Sequence, residues 1–333
     1  MDAAPLILAQ EAGLFAREGL HVELKQVPGW ATIRDMLAQN ELDAAHCLAG
    51  LLFGAAAGVG CLPTKLTTGL FLNTHGNAIV LSKSLYDQGV RDAASLAAAV
   101  KAKNLQLPLV FGVVHNLSSH FILLVSWLAR HGLRLKEHYQ IVVLPPNLMG
   151  DNLGSGHLDG FCSGEPWGSG AALSNQGFIA ATSVDIMPLH VEKVLAVPDM
   201  LVRSRRDDIV AMHRAVAKAC RMCDDLGVRA DLAQMLANPD YIGVPEEWIF
   251  NSLVGTSRLG FGMSRPIRDF HIFHGTDVNQ PQASRLAWLR QELVRHGHLP
   301  DGLSSKSDDF IDCELLPNAE TESLVKPTQL TTV

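Results

Sequence analysis

The stretch Phe161-Cys162-Ser163-Gly164-Glu165-Pro166-Trp167-Gly168, entered from Gly156-His157-Leu158-Asp159-Gly160, decides how the rest of the chain is read. A short apolar run breaks into a glycine-flanked turn that carries one acid and one indole. Directly after a buried strand, such a turn exposes backbone N–H groups at the mouth of an α/β fold, which points to a ligand-facing loop. A purely structural turn around a packed Trp fits the same residues.

Around this turn the chain alternates strand-like and helix-like segments. Upstream, Ala4 to Leu20 has Pro5 at its start and apolar residues at helical spacing, so one helix is expected there. His21–Lys25 alternates polar and apolar residues as a strand does, Thr32–Asn40 reads as a helix and Leu42–Ala45 as a strand. Strands are expected at Leu70–Thr74, Asn77–Leu81, Leu107–Val114 and Ile141–Leu144, with helices at Ser95–Ala102, Ser118–His131 and Asn147–Ser155. Beyond Trp167 a helix at Ser169–Asn175 and the extended Phe178–Thr182 and Lys193–Val197 precede a helical remainder. Its helices are expected at Asp207–Asp225, Arg229–Ala237, Pro245–Leu253 and Pro281–His296. Such alternation implies a parallel sheet with helical crossovers. Residues 301–333 are polar and aperiodic, and are expected to be a disordered tail. An α/β domain of this kind opens with a strand, yet Met1 stands just before the first helix, so a first strand is expected to be missing or replaced.

The bulk numbers narrow the function. The 333 residues are 47% hydrophobic and 18% charged, with a formal charge of −7 and no long basic run. A core can form in one large or two medium domains, and nucleic acid is a poor main ligand. No apolar run reaches the length of a membrane span. Met1-Asp2-Ala3-Ala4-Pro5 has neither a basic start nor an apolar core of a signal peptide, so the chain as it stands reads as cytoplasmic, and as periplasmic if its start is truncated. The six cysteines lack a disulfide framework's spacing and fit free thiols. Cys220-x-x-Cys223 and His271-Ile272-Phe273-His274 lack a second ligand pair, and Ser163 lacks the upstream glycine of a nucleophile elbow. No metal site and no catalytic residue is assigned.

Several signatures then occur in order: Asp2-Ala3-Ala4-Pro5-Leu6, Gly29-Trp30-Ala31-Thr32-Ile33-Arg34-Asp35, Leu42-Asp43-Ala44-Ala45-His46, Gly76-Asn77-Ala78-Ile79, Ser118-Ser119-His120, Pro145-Pro146, Gly164-Glu165-Pro166-Trp167 and His190-Val191-Glu192-Lys193-Val194-Leu195. As an ordered set over residues 2–195 they resemble the nitrate/bicarbonate solute-binding family of ABC transporters and its soluble nitrate-sensor relatives. The resemblance implies a periplasmic-binding-protein type II fold: two α/β lobes with an interlobe cleft and two crossing strands, here Asn77–Leu81 and Lys193–Val197, as a hinge. Lobe I would comprise residues 1–82 and 193–300, and lobe II residues 83–192. It also implies binding of a small oxyanion, nitrate or nitrite, without catalysis and without a cofactor.

A planar anion with weakly basic oxygens needs a cation, N–H donors and an apolar face. Lys193 is the cation that the resemblance implies, Trp30 the aromatic cover, Gly164 a backbone N–H, and His75 with Gly76 a further donor loop where nitrate-binding members carry a glutamine-like donor. His46, His115, Ser118, Ser119, His120, Glu165, Trp167 and His190 are second choices; Ser118 and Ser119 also suit a helix cap, and Glu165 suits holding the turn or pairing with Lys193. Three roles remain open: a sensor whose partner is an RNA-binding antiterminator, the solute-binding subunit of an ABC permease for nitrate or bicarbonate, and an enzyme of the thiamine-pyrimidine-biosynthesis type on the same fold.

Overall fold

The computed structural model describes residues 1–302 and 307–316. Two sheets organise the chain. The first has the order β1-β8-β2-β11, with β1 at Ala45–Leu48, β8 at Val191–Pro198, β2 at Leu66–His75 and β11 at His271–Ile272. Every neighbouring pair in it is antiparallel. The second has the order β5-β4-β6-β3-β7, from β5 at Tyr139–Val143, β4 at Leu109–Val113, β6 at Gly160–Gly164, β3 at Asn77–Ser82 and β7 at Gly177–Thr182. Here β5, β4 and β6 run parallel, as helical crossovers require, while β3 lies antiparallel between β6 and β7. The expected parallel sheet is therefore mixed. The reason is that β3 enters from the other sheet through a tight turn rather than through a helical crossover. A hairpin of β9 (Thr256–Gly260) and β10 (Met263–Pro266), with no forecast in the sequence, packs by β9 against β7.

Residues 77–82 belong to the second sheet, so the chain changes sheets at Gly76 and returns before Val191. Neither expected crossing strand itself spans both sheets. The turn at Gly76 has φ +84, and a Cβ there would meet the His271 ring at 2.7 Å, so glycine is required on both counts.

Other expectations shift. The single helix over Ala4–Leu20 is two, Ala4–Glu11 and Leu14–Arg17, because Gly13 adopts φ +64 between them. The expected strand Leu42–Ala45 appears as Ala45–Leu48. His21–Lys25 keeps the strand-like alternation in exposure but joins no ladder, and β1 forms the sheet's outer edge. A cavity of about 910 Å³ is lined by both segments and reaches Lys193. Of the expected tail, residues 307–316 pack firmly: Asp312 N–H donates to the Thr68 carbonyl at 3.0 Å, Arg206 pairs with the Asp312 carboxylate at 2.8 Å, and the buried Phe310 meets the Phe53 ring edge-on. Residues 303–306 and 317–333 of that expectation lie outside the described residues. Among the described residues no helix is long and apolar enough to cross a membrane, and the six cysteines are free.

Candidate functional site

Lys193 sits early in β8, opposite Leu48 of β1 and Asn73 of β2, with its side chain wholly buried. A buried ammonium must be paired. Its Nζ lies 2.7 Å from Asp2 Oδ2 and in close contact with Glu192 Oε1. These two carboxylates hold the Lys193 pKa above its ordinary value against the opposing effect of burial, so the amine stays charged. The Trp30 ring covers it, with the ring centroid 5.2 Å from Nζ, a cation–π distance. Trp30 opens the helix Trp30–Ala38 after the extended Gly29, and the His46 ring meets it edge-on at 5.3 Å. Burial pushes His46 down to about 4, so that imidazole is neutral.

Glu192 joins the lobes. From β8 in the first sheet it accepts a hydrogen bond from Asn77 Nδ2 of β3 at 2.6 Å and another from Ser119 Oγ, at the start of helix Ser119–Ala129. His190 Nε2 lies 3.1 Å away and His120 Nε2 3.5 Å away. Burial disfavours the carboxylate, but Lys193, His120 and His190 outweigh it and hold the pKa well below the usual carboxylate range. Asp2 is treated similarly: Asn73 Nδ2 donates to its Oδ1 at 2.8 Å, and Lys193 with the N-terminal amine offsets its burial and keeps it ionised.

The opening turn forms another wall. Gly164 ends β6 opposite Asn77, and a Cβ there would lie 3.2 Å from Asp2 Oδ2 and 3.8 Å from His120 Nε2. Glu165 N–H donates to the Gly76 carbonyl at 2.8 Å, while its carboxylate accepts the Ser169 N–H at 2.9 Å and leaves Oε1 without a partner. Glu165 thus holds the turn, and does not pair with Lys193. Burial raises its pKa to about 7.

Trp30, His46, His120, Gly164, Glu165, Trp167 and Lys193 all line the cavity of about 910 Å³. His75, Gly76, Ser118, Ser119 and His190 stand behind it. His75 Nδ1 donates to the Asp269 carbonyl at 2.8 Å and Nε2 accepts the Leu189 N–H at 2.8 Å, so neither nitrogen is available to a ligand. Ser118 caps its helix through the Phe121 N–H, His115 Nδ1 accepts the Leu117 N–H, and His190 Nδ1 meets the Met187 carbonyl at 3.0 Å. His120 is the opposite case: 1% exposed, with neither ring nitrogen hydrogen-bonded. Asp2 and Glu192 were not among the sequence-derived site residues. The only signal for them was their place inside two quoted signatures. Among the described residues no group of three metal-ligating side chains converges.

The arrangement is a buried cation under an aromatic face, with a buried imidazole that makes no hydrogen bond beside it. The profile of the NMT1-like family matches residues 1–237. The chain is 33% identical over 301 residues to the nitrate import ATP-binding protein NrtC of Synechocystis sp., covering 90% of this chain and 45% of that protein. It is 33% identical over 305 residues to the bicarbonate transport ATP-binding protein CmpC of Synechococcus elongatus, covering 90% of this chain and 44% of that one. The chain therefore spans under half the length of these curated relatives. Among solved structures, the periplasmic nitrate-binding protein NrtA from Synechocystis PCC 6803 superposes with a TM-score of 0.88 at 27% identity, over 94% of this chain and 84% of that one. The fold is thus that of a type II periplasmic binding protein, and the chain belongs to the NMT1-like family.

Proposed function

We propose that this protein binds nitrate or nitrite in the interlobe cavity and does so as part of an ABC-type import system. One observation carries the reading: Lys193 Nζ is fully buried yet charged, under the Trp30 face, in a cavity also lined by His120, whose ring nitrogens make no hydrogen bond. A small planar anion can accept from Nζ and from His120 while the indole excludes water. The names of the relatives add weight, since one imports nitrate and the superposed structure is a nitrate-binding protein. They favour a transport-linked partner over the RNA-binding antiterminator, and binding over the thiamine-pyrimidine type of chemistry. Closure of the lobes about Gly76 and the segment before Val191 would follow binding as a population shift.

A specific observation favours bicarbonate as a second reading. Asp2 and Glu192 flank Lys193, and Asn77 Oδ1 and Glu165 Oε1 are buried acceptors without partners. Bicarbonate carries an O–H that can donate to such oxygens, and nitrate does not. A thermal-shift titration against nitrate, nitrite, bicarbonate and an aliphatic sulfonate separates the readings. Stabilisation by nitrate or nitrite at the lowest concentration is expected; a response to bicarbonate alone selects the second reading, and a response to none refutes both.

A further inference from the structure

Lys193 is the cation expected to attract an anion, yet its charge is already offset. Asp2 Oδ2 at 2.7 Å and Glu192 Oε1 in close contact are both ionised neighbours. The nearby imidazoles of His46 and His120, pushed down to about 4 by burial, are neutral at pH 7. The floor of the cavity therefore offers hydrogen-bond donors without a net positive charge.

This balance bears on selectivity. A monoanion exchanges its water for Nζ and imidazole donors and meets two carboxylates at short range. A dianion of similar size meets the same two carboxylates with twice the charge, and loses far more hydration energy on burial. Glu192 is fixed by hydrogen bonds from Asn77 and Ser119 across the lobes and serves the fold as well. Asp2 is different: its carboxylate is tied by Asn73 and Lys193 and lies against Gly164 at the cavity wall.

We infer that Asp2 is a charge filter, a specificity-determining residue that sets the site to accept singly charged oxyanions and to reject sulfate and other dianions. The inference rests on the oxyanion reading above and holds equally for nitrate and bicarbonate.

Calorimetric titration with nitrate, bicarbonate and sulfate of wild type, Asp2→Asn and Asp2→Glu tests it. The wild type should bind one monoanion and give no heat with sulfate. Asp2→Asn, nearly isosteric, should bind the monoanion more tightly and improve sulfate binding by at least about ten-fold more than that, while Asp2→Glu restores rejection. Glu192→Gln removes the other carboxylate and should shift the ratio in the same direction, which keeps the test independent of how either single variant folds. A merely structural Asp2 would change both affinities together; an unchanged monoanion-to-sulfate ratio in Asp2→Asn, with the wild type binding normally, overturns the filter alone. A wild type that binds sulfate as well as nitrate overturns it too. A wild type that binds neither monoanion overturns the oxyanion reading and the filter with it.

Discussion

Two buried histidines flank the crossing between the sheets, and they are built in opposite ways. His75 spends both ring nitrogens on the backbone, tying Asp269 to Leu189 across segments far apart in sequence. His120, equally enclosed, spends neither, and one nitrogen stands 3.5 Å from Glu192. A buried polar group left without a partner costs free energy, so it persists where something outside the fold uses it. A saturated imidazole clips the structure, and an unsatisfied one inside a cavity is available to a ligand. The His75 at φ +67 fits the first role, since the strained turn beside Gly76 needs holding.

Substitutions sharpen this contrast. His75→Ala should remove two part-buried hydrogen bonds at once, costing roughly 2 kcal/mol of stability in urea unfolding. A loss below about 1 kcal/mol would mean the clip is incidental. Glu165→Gln addresses the turn between them. Its carboxyl pKa is raised from 4.5 to about 7, so the native state favours the neutral form. The stability this contributes is fully present below pH 4.5 and lost as the pH rises through 7, a difference of about 3 kcal/mol by linkage. The Gln variant should therefore exceed the wild type in melting temperature at pH 8 and match it near pH 4; the same offset at both values would exclude titration of Glu165. His120→Ala should move stability by less than about 1 kcal/mol yet weaken nitrate binding about ten-fold in calorimetry. A large loss of stability with unchanged affinity would make His120 a second clip and dissolve the comparison.

Much of the fold was legible. Helices such as Ser119–Ala129 and Ala283–Arg295 lie within a few residues of their expected ends, because capping residues and 3.6-residue periodicity are local signals. The strand at His21–Lys25 was misjudged because alternation shows which face packs, not whether a neighbour exists to complete a ladder. The packing of residues 307–316 leaves little sequence signal, because Phe310 and Leu315 alone anchor an otherwise polar stretch. For the candidate site, the signatures name Trp30, Gly164 and Lys193, and these three line one cavity. The ranking of the histidines could not be read in the same way, since whether a ring nitrogen is spent depends on segments around 189 and 269 brought in by the fold. The same holds for Asp2, which meets Lys193 only once the fold brings the two distant segments together.

The central claim is that Lys193 supplies the ammonium donor for an oxyanion between the lobes. Calorimetric titration of nitrate into the wild type and into Lys193→Ala, with folding of both checked by circular dichroism, tests it most directly. The account predicts saturable binding to the wild type and none to a folded Lys193→Ala. Nitrate affinity unchanged by the substitution, or no binding of any small oxyanion to the wild type, would contradict it.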